Sequence, residues 1–128
     1  RTLAAATPGV ELVGFQTGQA LQELYGHAAA LLLPSSHEGL PLTLLEALSH
    51  GIRVVVSDIP AHTTLKLRQE CYFVLGDIHQ LSRKLVQISG EDWSDTQADA
   101  QRAWVAEQFS WTRIAADTAS EYERVLSN

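Results

Sequence analysis

Two glutamates separated by seven residues are the side chains best suited to bind a polar ligand. Glu38 lies in a run of small and polar residues, and Glu46 lies in the apolar segment that follows it. Between them, Gly39 leaves space beside the backbone, and Pro41 suits the first position of a helix. Free N–H groups and the positive dipole end at a helix start can hold a diphosphate. Segment 34–51 therefore predicts one ligand-binding cleft whose mouth is flanked by the carboxylates of Glu38 and Glu46.

A structural role for Glu46 explains the same residues. A glutamate in the first turn of a helix is favoured by the helix dipole, and Thr43, three residues before Glu46, completes a pattern that resembles a capping box. The spacing of the two glutamates alone does not distinguish a phosphate-binding site from a helix cap.

Strands that alternate with helices are expected to position this segment. Apolar runs predict four strands, at residues 10–15, 29–33, 53–57 and 72–75. The second and third runs do not alternate with polar residues, which is typical of a parallel sheet covered on both faces. Thr17 and Asp77 are predicted to cap two of the helices. The pattern predicts a doubly wound α/β fold, in which ligands bind at the carboxyl edge of the sheet.

The helix inside segment 34–51 is predicted to bury one apolar face and to end at a glycine. Its core face is assigned to Leu44, Leu45 and Leu48, and Gly51 suits the stop. After Gly90 the pattern is helical only, and it closes with an amphipathic helix that starts after Ser110. The chain is interpreted as one domain, 1–128, with an α/β core in 1–90 and C-terminal helices in 91–128.

Composition excludes several classes of protein. The 128 residues are 45% hydrophobic, which fits one compact domain, and the net charge of -6 argues against a nucleic-acid partner. No apolar run approaches the roughly 20 residues of a spanning helix and the first residues show no signal-peptide pattern, so a cytoplasmic location is expected. Cys71, the single cysteine, is interpreted as a core residue. Because the chain begins at Arg1 rather than Met, we expect it to be part of a longer protein.

Three histidines and one aspartate border the predicted mouth. His37, His50 and His62 lack the spacing of metal ligands, so exposed or capping roles are expected, and His37 is the one best placed to touch a ligand. Asp58 ends a strand at the ligand edge, but an aspartate before Ile-Pro is also a common turn. Both interpretations of Asp58 remain open.

The serines and tryptophans are assigned to structure rather than chemistry. Ser35 and Ser36 lack the pattern of a nucleophile elbow, so their hydroxyls are expected to bond loop backbone. Trp93, Trp104 and Trp111 fall in helical segments, where packing in the core or between domains is expected more than sugar stacking.

These residues together resemble the family-4 retaining glycosyltransferases. The central stretches that carry the resemblance are residues 31–35, 38–42, 45–48 and 54–60, in that order and spacing. Further matching stretches lie at 13–15, 21–25, 73–77 and 109–115. The resemblance covers nearly the whole chain and is weakest at 91–107.

The resemblance implies the C-terminal, donor-binding half of a GT-B fold built from two Rossmann-like domains. Glu38 is expected to bond hydroxyls of the transferred sugar and to act electrostatically on developing oxocarbenium charge, which makes it the catalytic candidate, and Glu46 is expected to bond the ribose. The N–H groups expected at the diphosphate are those of Gly39, Leu40, Leu42 and Thr43. The base is expected beside Phe15 and Gln16.

The implied function is retaining transfer of a sugar from a nucleotide-diphosphate sugar to a glycan, lipid or small-molecule acceptor, without a metal or other cofactor. The family's upstream strand–helix units, a basic pair among them, and its N-terminal GT-B domain have no counterpart in the chain, so the chain alone is expected to be inactive. Loop 61–65 lacks the acidic residue frequent in the family. The interpretation allows peripheral membrane association of the full protein. The alternatives are a non-catalytic nucleotide-sugar-binding or regulatory module, and a generic doubly wound domain.

Overall fold

The structure, a computed structural model, describes residues 6–127 as an α/β arrangement around a short sheet. The elements in chain order are α1 (Gly18–His27), β1 (Ala30–Leu33), α2 (Leu42–Ser49), β2 (Arg53–Ser57), α3 (Pro60–Thr63), a 3-10 turn (Gln69–Cys71), β3 (Tyr72–Phe73), α4 (Ile78–Gly90), α5 (Asp95–Gln108) and α6 (Trp111–Leu126). This alternation is consistent with a Rossmann-like domain.

The three strands are parallel and lie in the order β1-β2-β3. Leu33 pairs with Val56 at the end of the first ladder, and Val56 pairs with Tyr72 in the second. The central strand β2 is buried from Val54 onward, as its continuous apolar run predicted. Because the strands are parallel, the loops 34–41, 58–59 and 74–77 leave from one edge of the sheet.

The prediction of a strand at residues 10–15 is wrong. In the structure this segment is irregular, and the exposed fractions of Val10, Leu12 and Phe15 are 51%, 62% and 93%. A strand needs a hydrogen-bonded neighbour and a surface to cover, which apolar content alone does not supply. Among the described residues, β1 pairs only with β2, so segment 10–15 forms no ladder with the free edge of β1.

The third strand is shorter than predicted, because Val74 and Leu75 leave the sheet. Their N–H groups donate to side chains instead of to a neighbouring strand. The N–H of Leu75 donates to Asp58 Oδ1 at 2.9 Å, and the N–H of Val74 donates to Gln80 Oε1. The backbone is therefore satisfied without a longer ladder.

The predicted helix ends are correct in part. Asp77 caps α4, since its carboxylate accepts the N–H of Gln80 at 2.8 Å. Thr17 stands at the N-cap of α1 but its side chain makes no capping bond, so that prediction is wrong. Pro41 is the N-cap of α2 rather than its first residue, which places the helix start one residue later than predicted.

Helix α2 packs against the sheet and α5 and contributes much of the core. Leu44 and Leu48 are buried as predicted, whereas Leu45 is half-buried and Ala47 is buried in its place. The full buried cluster consists of Tyr25, Leu44, Ala47, Leu48, Ile52, Val54, Val56, Leu65, Tyr72 and Val105.

The C-terminal end of α2 is fastened by side chains from residues 93–102. Trp93 Nε1 donates to the Gly51 carbonyl at 2.7 Å, and Arg102 Nη2 donates to the His50 carbonyl at 3.0 Å. Gln101 Nε2 donates to the carbonyl of Ile52 at 2.8 Å and to that of Leu48 at 3.2 Å. The Leu48 carbonyl near the helix end and the carbonyls of residues 50–52 just after it are thus satisfied.

We expect Gly51→Ala to destabilise the fold by about 1–2 kcal/mol, because Gly51 adopts a φ of 72°, a left-handed conformation that costs other residues about that much. An added Cβ would also lie 2.7 Å from Arg102 Cζ and displace that side chain. Urea unfolding measures the change in the free energy of unfolding.

Gly26→Ala is the matched control, because Gly26 lies inside α1 and an added Cβ would meet no atom within 4 Å. It should stabilise the fold by up to about 1 kcal/mol. Equal effects of the two substitutions would show that the left-handed turn does not determine the end of α2.

Candidate functional site

Glu38 lies in loop 34–41, which connects the carboxyl end of β1 to α2. Its side chain is half-buried, and Ser35 Oγ donates to Glu38 Oε1 at 2.6 Å. The Ser35 carbonyl in turn accepts a hydrogen bond from Ser57 Oγ at the end of β2. The loop that carries Glu38 is therefore held to the neighbouring strand by side-chain hydrogen bonds. The prediction that the serine hydroxyls bond loop backbone is wrong for Ser35, whose hydroxyl bonds a carboxylate.

Glu46 lies on an exposed face of α2 and is held by a different element. The hydroxyl of the buried Tyr25, in α1, donates to Glu46 Oε2 at 3.2 Å. Burial raises the pKa of Tyr25, and the hydrogen bond and charge of Glu46 raise it further, so the hydroxyl stays protonated and donates at neutral pH. His50 stacks on the Tyr25 ring, with centroids 5.1 Å apart.

The capping-box interpretation of Glu46 is wrong. Thr43 lies inside α2, and the N-cap Pro41 makes no side-chain capping bond. Since Glu46 is exposed and does not cap its own helix, its carboxylate is available at the surface.

A cavity of about 530 Å³ opens beside the start of α2. Its lining residues are Gly39, Leu40, Pro41, Ala61, Thr64, Leu65, Lys66, Trp104, Gln108 and Phe109. An added Cβ on Gly39 would meet nothing within 4 Å, so no packing contact requires glycine there. The space beside the Gly39 backbone is open to a ligand.

Two backbone features of this cavity were not apparent from the sequence. The N–H of Leu42 donates to the Leu40 carbonyl at 2.9 Å, so it must leave that carbonyl to reach a ligand. Lys66, the basic residue in the cavity wall, has a φ of 51°, which is uncommon for a residue with a side chain. No periodic or motif signal marks Lys66 in the sequence.

Phe15 and Gln16 lie away from this cavity. The Phe15 ring is 93% exposed, and Gln16 lines a separate cavity of about 660 Å³ beside α1. The Gln16 side chain donates to the Val13 carbonyl. The structure therefore does not bring these two residues together with residues 39–41.

The histidines occupy three different environments. His37 is exposed beside Glu38, and His50 is half-buried against Tyr25. His62 is fully buried, so the expectation of an exposed or capping role is wrong for it. The short helix α3 turns His62 inward, where Nδ1 lies 2.8 Å from the Ser57 carbonyl.

Asp58 serves a turn in the structure. Its carboxylate accepts the N–H of Leu75, and its own N–H donates to the Phe73 carbonyl at 2.9 Å. These bonds tie the ends of β2 and β3 together, which favours the structural interpretation of Asp58.

Trp93 packs at the opposite end of the sheet from loop 34–41. Its ring lies 5.9 Å from the Arg53 guanidinium and 5.4 Å from that of Arg68. Nε and Nη1 of Arg53 are buried and have no hydrogen-bond partner among residues 6–127, so the aromatic face is a favourable contact for that cation. The prediction of a packing role is confirmed for Trp93.

The other tryptophans and the cysteine differ in burial. Trp104 packs edge to face on Phe109 at 5.7 Å, which confirms packing, whereas Trp111 is 84% exposed, which excludes core packing for it; packing against another domain stays a prediction. Cys71 is half-buried rather than in the core, and burial raises the pKa of its thiol.

Within residues 6–127, no group of three or more His, Cys, Asp or Glu side chains is arranged to hold a metal ion. In the same part of the chain, none of the helices combines the length and apolar character needed to cross a membrane.

The short parallel sheet between helices is consistent with a Rossmann-like domain of a glycosyltransferase. The chain belongs to the family Glycosyl transferases group 1, whose sequence model matches residues 1–91.

Two curated relatives are similar to the chain. It is 27% identical over 115 residues to O-antigen chain mannosyltransferase B of Escherichia coli, a match that covers 89% of the chain and 30% of the relative. It is 50% identical over 40 residues to lipopolysaccharide 1,6-galactosyltransferase of Salmonella typhimurium, which covers 31% of the chain and 11% of the relative. The chain thus spans less than a third of either relative. No solved structure shows a significant match.

Proposed function

We propose that the chain is the donor-binding part of a retaining GT-B glycosyltransferase and that it binds a nucleotide-diphosphate sugar at the carboxyl edge of the sheet. The observation that supports this most is that Glu38 and Glu46, before and after the start of α2, are each held by a hydroxyl donor. Carboxylates held in this way are suited to accept hydrogen bonds from the hydroxyls of a sugar and a ribose.

The sugar is proposed to bind at Glu38. Ser35 occupies Oε1, which leaves Oε2 to accept hydrogen bonds from the sugar hydroxyls. When the bond between sugar and diphosphate breaks, positive charge develops on the sugar ring, and the carboxylate stabilises it electrostatically. The acceptor hydroxyl attacks from the face of the departing diphosphate, whose oxygen takes up the hydroxyl proton, so the anomeric configuration is retained and no covalent bond to Glu38 is needed.

The diphosphate is proposed to lie beside the start of α2. The open space at Gly39 admits it to the N–H groups of Gly39, Leu40 and Thr43, and to that of Leu42 once this group leaves the Leu40 carbonyl. Lys66 in the wall of the same cavity adds positive charge. Since one helix start and one lysine give only modest attraction, the affinity of the chain alone is expected at about -4 to -6 kcal/mol.

The nucleoside is proposed to extend along α2 toward α1. Glu46 lies one turn along the helix, where its carboxylate can accept hydrogen bonds from the ribose hydroxyls. Phe15 offers an uncovered aromatic face for the base, and Gln16 lies next to it in the chain.

The acceptor is proposed to bind to a part of the protein outside these 128 residues. The chain spans less than a third of its relatives, which leaves room for a second domain in the full protein. The relatives' names favour a saccharide acceptor of the cell envelope, and peripheral contact of the full protein with a membrane would suit such an acceptor. No transfer is expected from the chain alone.

Ligand-observed NMR or calorimetry tests the donor site directly. The chain should bind a nucleoside diphosphate and its sugar ester with dissociation constants from about 0.1 to 1 mM. Inorganic diphosphate, which lacks the ribose and base, is the matched control and should bind more weakly. Absence of saturable binding by every nucleotide up to about 10 mM would refute the donor site.

A further inference from the structure

We propose that Ser57 and His62 are positioning residues for Glu38, which they reach through a series of hydrogen bonds that also includes Ser35. The inference rests on the proposed role of Glu38 in binding the transferred sugar. It assigns a function to the buried histidine of the fold, which the donor site described above does not use.

The first hydrogen bond fixes the His62 ring against the end of β2. The side chain is fully buried, and Nδ1 lies 2.8 Å from the Ser57 carbonyl. Because a carbonyl only accepts, the proton of this bond is on Nδ1. Nε2 is also buried and has no partner within the described residues. A half-satisfied imidazole costs stability compared with an apolar side chain, which points to a role beyond filling space.

The second hydrogen bond, from Ser57 to Ser35, connects the end of β2 to loop 34–41. Ser57 is the last residue of β2, is fully buried, and donates its hydroxyl to the Ser35 carbonyl. The backbone ladder between β1 and β2 ends at the pair Leu33 and Val56. The Ser57 hydroxyl therefore holds the two chains together at the point where the ladder stops.

The third hydrogen bond reaches the carboxylate. With its carbonyl held by Ser57, Ser35 donates its own hydroxyl to Glu38 Oε1 at 2.6 Å, a charge-assisted bond. The position of Glu38 thus depends on two residues that cannot themselves touch a ligand. Displacements of about 1 Å at a reacting group are enough to reduce turnover strongly.

Glu46 provides an internal reference for this proposal. It is oriented by Tyr25 from α1 and shares no hydrogen bond with Ser57 or His62. Damage to the Ser57–His62 network should therefore affect recognition of the sugar and leave recognition of the nucleoside diphosphate intact.

The test compares four substitutions by NMR titration with a nucleoside diphosphate and with its sugar ester. Ser57→Ala and His62→Leu should each weaken the sugar ester by about three- to tenfold, the range expected for one lost hydrogen bond, and change the nucleoside diphosphate by less than about twofold. His62→Asn should bind like the wild type, because its amide N–H can replace Nδ1–H. Thr63→Ala is the matched control, since that hydroxyl bonds the Ile59 and Pro60 carbonyls within the segment around α3 and Thr63 does not line the cavity at residues 39–41.

A double substitution separates positioning from general damage. Ser57→Ala should add no further loss of sugar-ester affinity to Glu38→Ala, because both act through one group. The proposal is overturned if Ser57→Ala weakens the binding of both ligands equally, or if it lowers the melting temperature and leaves binding unchanged. Either result would assign the serine to packing. Ser57→Ala and His62→Asn remain decisive if His62→Leu does not fold.

The outcomes also separate this proposal from the donor site itself. If the wild type binds no nucleotide, the proposed function fails. If Glu38→Ala selectively weakens the sugar ester while Ser57→Ala does not, the donor site stands and the positioning role is wrong.

Discussion

Glu46→Ala is expected to weaken a nucleoside diphosphate and its sugar ester alike, by about tenfold. The ribose is common to both ligands. Hydrogen bonds to a charged carboxylate contribute about 1.5–3 kcal/mol, and about 1.4 kcal/mol corresponds to a tenfold change in the dissociation constant. The loss of Glu46 also leaves the Tyr25 hydroxyl without its acceptor, but Tyr25 remains packed in the core. Calorimetric titration of both ligands measures the effect.

The effect of Glu46→Ala on the two ligands is to be compared with that of Glu38→Ala. It should leave the nucleoside diphosphate unchanged and reduce only the affinity contributed by the sugar. Glu123→Ala is the control, because Glu123 is an exposed glutamate in α6, outside both the cavity at residues 39–41 and the cavity that Gln16 lines. Equal losses of the sugar-free ligand in Glu38→Ala and Glu46→Ala would contradict the separate roles of the two glutamates.

Leu44→Ala is expected to destabilise the fold by about 2–5 kcal/mol, the range for removing a leucine side chain from a close-packed core. Leu44 is 0% exposed and faces the buried cluster from the first turn of α2. Chemical unfolding followed by circular dichroism measures the change in midpoint.

Leu42→Ala is the matched control in the same helix, because the Leu42 side chain is 61% exposed. It should change the free energy of unfolding by no more than about 0.5 kcal/mol. A cost below about 1 kcal/mol for Leu44→Ala would mean that α2 is not packed against the sheet as described.

The sequence predicts an element well where burial alone determines it. Strand β2 spans the predicted residues, because a central parallel strand is apolar on both faces. Segment 10–15 shows the limit of this reasoning. Its residues favour a strand, but strand formation also depends on a neighbour, and the neighbour is not encoded in the segment itself.

The candidate site shows the same division. The hydrogen bond between Ser35 and Glu38 spans three residues, so a loop of this composition could suggest it. The bond from Tyr25 to Glu46 joins residues 21 apart, and only the packing of α1 against α2 brings them together. His62 was misassigned because α3 has four residues, too few for a helical period to indicate which face is buried.

The fastening of the C-terminal end of α2 has a thermodynamic consequence for the site. Since Trp93, Gln101 and Arg102 bind the carbonyl of Leu48 and those of residues 50–52 just after the helix, α2 cannot fray from that end unless α5 also moves. The two helices therefore open together as one cooperative unit, whereas α6, which is exposed along its length, lies outside that unit. The order of α2 thus depends on residues 42 to 53 positions further along the chain, and we expect substitutions among them to act on the proposed site without touching it.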